Sequence, residues 1–253
     1  MKDRLVIEWL GTNAFRFRYN GKILLLDSYV TRNRTKICDK EIVAGYIPRA
    51  DYIFIGHSHW DHLADAAEIS RQTNAVVVGS QTTLNICRAQ GVPEDRLCLF
   101  SAGDSLDFGD FQVDVYASVH MQPMRFPGIY ESVPEKIETI EDFLEGGTFA
   151  LRFRFGSLKI LNVGSANFLK KELDGIKCDY LLAGIAGRSD VYMKELIESV
   201  SPQVVIPTHF DDLETPLEDN NIRIDVEAFK QEVLELFPDV KLKVPIPLEE
   251  IKI

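Results

Sequence analysis

Three of the chain's five histidines fall in one six-residue stretch, His57-Ser58-His59-Trp60-Asp61-His62. A pattern H-x-H-x-D-H requires a fold that can gather several donors around one point. Residues two apart in an extended segment project to the same side, so His57 and His59 can share a metal ion. Asp61 and His62 follow where the chain turns toward a helix. They point elsewhere and can serve a second ion a few ångströms away. Imidazole and carboxylate together suit Zn²⁺, Mn²⁺ or Fe²⁺. His120 ends a predicted strand at 111–119, and His209 follows another at 204–207 in Pro207-Thr208-His209. The cluster itself follows a predicted strand at 52–56. All five histidines therefore lie past the C-terminal ends of strands, where open α/β sheets place their ligands.

The remaining pattern supplies such a fold. Short strands are predicted at 5–9, 14–19 and 22–27, with Gly11 and the hairpin pair Asn20-Gly21 between them. Residues 28–50 are less regular. After the cluster come a helix at 65–72, a strand at 75–79 and a helix from the cap Ser80 to about Gln90, stopped by Gly91 and Pro93. Strands follow at 97–100 and 104–108, and then the alternating strand 111–119. Residues 121–147 hold Pro123, Pro127 and Pro134 and an acidic run from Glu131 to Glu145. They read as an inserted flap, partly helical around 135–144. Strands at 148–155, 158–163, 180–183, 204–207 and 241–244 then mix with helices at 191–200 and 225–236. This is the order of a layered α/β domain, and with no linker or low-complexity segment one domain is expected over 1–253.

Composition narrows the function. The chain has 253 residues with 28 basic and 39 acidic side chains, a net charge of −11. That balance disfavours non-specific nucleic-acid binding, which needs a basic footprint. No apolar run approaches the ~18 residues of a membrane helix, and the amino terminus lacks the apolar core of a signal peptide. Cys38, Cys87, Cys98 and Cys178 contain no C-x-x-C pair and read as reduced thiols of a cytoplasmic protein.

With these residues in view, the chain resembles the metallo-β-lactamase superfamily over nearly its whole length, from Trp9-Leu10-Gly11 and Leu26-Asp27 to Ile206-Pro207-Thr208-His209. It is most similar to the branch holding ascorbate-6-phosphate lactonase and N-acyl-phosphatidylethanolamine phospholipase D, through Ala50-Asp51-Tyr52-Ile53 and Asp179-Tyr180-Leu181-Leu182. The resemblance implies a four-layer αββα sandwich with metals on one edge of its two sheets. It further implies that His57, His59 and His120 hold a first ion and Asp61, His62 and His209 a second. Asp27 would stand behind these ligands and orient them.

One departure matters. The family usually bridges both ions with an Asp in a Gly-Asp-Thr-like motif, whereas here the stretch is Val163-Gly164-Ser165-Ala166-Asn167. Ser165 is at most a weak neutral ligand. Two cations roughly 3.5–4 Å apart then repel more strongly, so the second ion is expected to bind weakly or only with a bridging anion. A flap carboxylate such as Glu131 is a candidate substitute. Two mechanisms stay open. In one, a hydroxide between two ions attacks a carbonyl or phosphoryl centre. In the other, a three-histidine site works alone and Asp61 is the general base.

Arg32, Arg34 and Lys36 form a basic stretch after Asp27, and Arg188 follows the strand at 180–183. Arg32, Arg34 and Arg188 are candidates to grip an anionic substrate group, and the apolar flap residues Met121, Met124, Phe126, Ile129 and Tyr130 are candidates to cover it. The expected protein is a metal-dependent hydrolase, with one or two Zn or Mn ions, acting on a small ester, lactone or phosphoester through a metal-bound hydroxide. The alternative is a catalytically degenerate binding protein of the same fold. A homo-oligomer is compatible with the apolar flap.

Overall fold

The computed structural model describes residues 5–33 and 35–253. Its strands are β1 (Val6–Trp9), β2 (Phe15–Tyr19), β3 (Lys22–Leu26), β4 (Tyr52–Phe54), β5 (Val76–Gly79), β6 (Leu97–Leu99), β7 (Ser105–Asp107), β8 (Gln112–Ala117), β9 (Phe149–Phe155), β10 (Leu158–Asn162), β11 (Tyr180–Gly184), β12 (Val204–Thr208), β13 (Lys241–Leu242) and β14 (Glu250–Ile251). Its helices are α1 (Lys40–Tyr46), α2 (Trp60–Leu63), α3 (Ala66–Thr73), α4 (Gln81–Ala89), α5 (Lys170–Leu173), α6 (Tyr192–Val200) and α7 (Val226–Leu236).

The strands form two seven-stranded sheets, ordered β14-β1-β2-β3-β4-β5-β6 and β13-β12-β11-β10-β9-β8-β7. Both follow one plan. The run β14-β1-β2-β3 is antiparallel and β3-β4-β5-β6 parallel. Likewise β7-β8-β9-β10 is antiparallel and β10-β11-β12-β13 parallel. Antiparallel neighbours need only tight turns, as at Asn20-Gly21; parallel neighbours need crossovers, and most here carry helices.

Side-chain alternation sets the layers. Leu24 and Leu26 of β3, Phe54 of β4 and Val78 of β5 join the core between the sheets. Leu25, Ile53 and Val77, one residue out of phase, join a second core under α1, α3 and α4. Phe17 and Phe54 meet Phe153 of the opposite sheet at ring distances of 5.2 and 5.1 Å. Such aromatic pairs contribute about 0.5–1.5 kcal/mol beyond the area they bury. Side chains of α6 and α7, including Leu196 and Phe229, pack with the second sheet's residues. The layer order is thus helix, sheet, sheet, helix.

Three expectations are adjusted. The irregular stretch 28–50 contains α1, capped by Asp39, whose carboxylate accepts from the Glu41 and Ile42 amides. The helix expected at 135–144 is a single 3-10 turn, Ile140–Asp142, closed by a reciprocal Thr139–Asp142 cap. The strand expected at 241–244 pairs over Lys241–Leu242 alone.

Candidate metal centre

The parallel strand β4 delivers the cluster. The chain leaves β4, passes Gly56 and reaches His59, which stays extended (φ −61°, ψ 152°) as α2 begins. The His59 carbonyl accepts from the His62 and Leu63 amides, both at 3.0 Å, which places Asp61 and His62 inside that helical turn. His120 comes from beyond β8. His209 directly follows β12 in a left-handed conformation (φ 59°), its amide donating to the Thr12 carbonyl at 2.8 Å. A φ of that sign is uncommon outside glycine; here a backbone bond to the β1–β2 turn holds it.

The five imidazoles and one carboxylate meet at the sheet edge. The His57 ring lies 4.8 Å from that of His59, 3.9 Å from His62 and 4.9 Å from His120. His59 and His120 are 4.7 Å apart. Asp61 Oδ2 lies 3.0 Å from His209 Nε2 and 3.7 Å from His62 Nε2. Two groups of three result, His57–His59–His120 and Asp61–His62–His209, with the donor atoms of each within 4.8 Å of one another.

These donors suit a divalent cation. Both nitrogens of His57 and Nε2 of His59 are buried without a hydrogen-bond partner. An unpartnered buried polar atom costs about 1–3 kcal/mol, so packing alone does not account for these. Charge state agrees. Burial, reinforced by His62 and the other imidazoles, holds His57 well below its ordinary pKa. Burial lowers His59 to about 4, partly opposed by Asp61, and burial also lowers His120. Neutral imidazoles present lone pairs. Burial opposes ionising Asp61, but His62 and His209 outweigh it and hold the carboxyl below its usual range. Burial opposes protonating His62, but Asp61 and Asp27 outweigh it.

Asp27 sits behind the cluster. Its Oδ2 lies 2.9 Å from His62 Nδ1, while Oδ1 accepts from the Gly56 amide at 2.7 Å. A side chain at Gly56 would place its Cβ 3.3 Å from Asp27 Oδ2, so glycine makes room for this support. Asn13 is a positioning residue that sequence reading missed. Its Nδ2 donates to Asp27 Oδ2 at 2.6 Å, and its Oδ1 accepts from Asn162 at 3.0 Å and Thr208 at 2.9 Å. One buried amide thus ties the ends of β3, β10 and β12 together. No local pattern marks it, because all three partners are remote in sequence.

Ser165 lines the site, but its Oγ accepts from the Met121 amide at 3.1 Å. Glu131 is exposed on the flap. A cavity of about 430 Å³ opens over the cluster, walled by Trp60, Met121, Pro123, Phe126 and Leu213. Asp61 is the single carboxylate among the described residues lining it.

The structure does not bring the expected arginines here. Arg32 is buried against Asp211, with Nη2 2.8 Å from Oδ2 and Nε donating to the Thr215 carbonyl at 2.8 Å. Arg188 pairs with Glu232 at 2.5 Å and lies over the Phe229 ring. Both are structural ion pairs away from the cavity. Arg34 lies outside the described residues. The cavity's arginine is instead Arg125, on the flap.

A family model described as a beta-lactamase superfamily domain matches residues 6–209. The chain belongs to the beta-lactamase superfamily. Within that superfamily, a UPF0173 metal-dependent hydrolase of Roseiflexus castenholzii is 30% identical over 125 residues, 49% of this chain and 50% of that protein. The match thus spans about half the length of that relative. A UPF0173 metal-dependent hydrolase of Methanosarcina mazei is 24% identical over 98% of this chain and 99% of its own. The solved structure of Igni18, a metallo hydrolase from Ignicoccus hospitalis, has a TM-score of 0.68 at 19% identity, covering 98% of this chain and 97% of its own. That likeness speaks for the superfamily's fold.

Proposed function

We propose that this chain is a metal-dependent hydrolase acting on a small ester, lactone or phosphoester. The observation that carries the reading is the pair of three-donor groups in a cavity whose other walls are mostly apolar. His57, His59 and His120 would hold one ion and Asp61, His62 and His209 a second, with zinc or manganese suited to these donors. Bound there, such ions supply Lewis acidity and lower the pKa of water toward neutrality.

The chain's own residues do the rest. Asp61 is the proposed catalytic carboxylate: it remains ionised, its Oδ2 faces His209 Nε2, and no other carboxylate among the described residues lines the cavity. Where both groups are filled it is a ligand of the second; where the three-histidine group works alone it is free to accept a proton from the attacking water. Asp27 and Asn13 fix the His62 ring. Ser165 brings no negative charge where the family usually has an Asp, so occupancy of the second group is proposed to rise when an anion is present. The narrower resemblance to the ascorbate-6-phosphate lactonase branch makes phosphate-bearing lactones and phosphodiesters the first compounds to try. Four free cysteines support a reducing, cytoplasmic setting, and the charge of −11 supports a small-molecule rather than nucleic-acid substrate.

The test is elemental analysis of protein purified without added metal or phosphate, followed by ester, lactone and phosphodiester assays with Zn²⁺ or Mn²⁺. One or two equivalents of metal with turnover are expected. Asp61→Ala should abolish turnover, and retained activity would remove Asp61 from the reaction. A chain that takes up metal but turns over nothing would instead be a binding protein.

A further inference from the structure

Arg125 and Asp61 are the two charged residues other than histidine among the described residues lining the cavity. Their charges cancel, so the lining itself leaves ions held by the histidines with excess positive charge, which Asp27 behind His62 offsets only in part. An occupant that brings negative charge is therefore favoured, even though the molecule as a whole is strongly acidic.

Arg125 is free to provide the contact. It makes no hydrogen bond or ion pair with any described residue. Its guanidinium carbon lies 4.9 Å from the Phe126 ring centre, and that ring meets His59 edge-on at 6.4 Å. Guanidinium pairs with carboxylate or phosphate through two parallel hydrogen bonds.

The flap that carries it is pinned. The Phe126 carbonyl accepts from the Glu145 amide at 2.9 Å, and the Glu145 carbonyl accepts from Ser58, inside the histidine cluster, at 2.8 Å. Phe126 holds a left-handed conformation (φ 48°) that a bulky residue adopts only under such constraint. At the flap's base, Ser165 Oγ anchors the Met121 amide. Met121 packs against Gly187 where any side chain would collide with it. Arg125, itself exposed at the cavity, is thus carried on a backbone pinned on either side of it. The surrounding walls of Trp60, Met121, Pro123, Phe126 and Leu213 suit an apolar body.

Resting on the hydrolase reading above, we infer that Arg125 determines specificity by anchoring an anionic group of the substrate, and that the substrate is an apolar-bodied acid whose carboxylate or phosphate is distinct from the bond cleaved.

The test compares two 4-nitrophenyl esters of matched chain length, the neutral butyrate and the hemisuccinate, on the metal-loaded full chain. Wild type should favour the hemisuccinate in kcat/KM. Arg125→Gln should lower the hemisuccinate-to-butyrate ratio by about ten- to a hundredfold, the effect of losing one charge-assisted pair, mainly through KM. Arg125→Lys should restore part of it. An unchanged ratio in Arg125→Gln overturns the inference and leaves the hydrolase reading intact. If wild type cleaves neither ester, the hydrolase reading rests on the lactone and phosphodiester assays, and calorimetric binding of 3-phenylpropionate, phenyl phosphate and 3-phenylpropanol decides the inference alone. Tighter binding of an acid than of the alcohol, lost in Arg125→Gln, supports it. A preference for the acids that survives the substitution overturns it. A loss confined to one acid assigns the anion as carboxylate or phosphate.

Discussion

His57 explains why the cluster is readable in the sequence while part of its support is not. Its neighbours His59, Asp61 and His62 come from one short stretch, so spacing alone announced them. Asp27 is expected behind the ligands through the family resemblance, but Asn13 acts across the fold, where only packing reveals that one amide serves three strands. Arg125 has no signature in the sequence, because its neighbours give no sign that Phe126 turns left-handed beside it. The expectations for Arg32 and Arg188 rested on position in a loop, whereas each is drawn to a nearby carboxylate, Asp211 and Glu232. The Asp27 contact also carries a prediction. A buried carboxylate behind a histidine ligand fixes the ring and raises its basicity. Asp27→Asn, nearly isosteric, should weaken metal binding at the Asp61–His62–His209 group by roughly 10–100-fold. Competition against a chromophoric chelator measures this, and unchanged affinity would remove Asp27 from that role.

At the scale of elements, strands were legible because each alternates or runs apolar between turn signals. The short helices were not: α2 and α5 have four residues each, too few to establish a helical period. β14 exists through pairing with β1, at the opposite end of the chain. The flap resists any periodic reading because its order comes from bonds to other elements. Besides Ser58, it is held by α4: Asn85 donates to the Tyr130 carbonyl at 2.9 Å, and Thr82 Oγ1 accepts from the Tyr130 amide at 2.9 Å. Gly187→Ala tests this anchoring. The added methyl would strike Met121 and force a residue other than glycine to φ 72°. Amide exchange across 121–126 should accelerate, measured by mass spectrometry, while β8 and β9 keep their protection. Unaltered exchange would show that the Met121 side chain gives way to the added methyl and that its packing on Gly187 does not hold the flap.

For the molecule as a whole, each three-donor group takes two residues from the first sheet's crossover and one from the second sheet: His120 in one case, His209 in the other. Ions held there join the sheets, and binding restricted to the folded state stabilises it. At a free metal concentration a thousandfold above Kd the gain is about 4 kcal/mol, or roughly 10 °C for a chain of this size. Chelation should lower Tm by that order. The metal-free chain should also weaken in acid. His57, His59 and His120 have folded pKa values below the ordinary 6.5, so below that pH the unfolded chain binds more protons. Stability is then lost as pH falls from about 6.5 through the value of about 4 at His59. His62, shifted upward, works in the opposite sense but is one group against three. A Tm that is flat across this window would contradict the burial of neutral histidines.

The division of each group between two sheets also sets when a metal can be chosen. As the chain is synthesised, His57, His59, Asp61 and His62 emerge first, yet neither group is complete until His120 or His209 follows. A nascent chain therefore exposes a motif that attracts many transition metals but holds none of them in the final geometry. Complete donor sets exist only in the finished, docked sheets, and it is the folded protein that discriminates among metals.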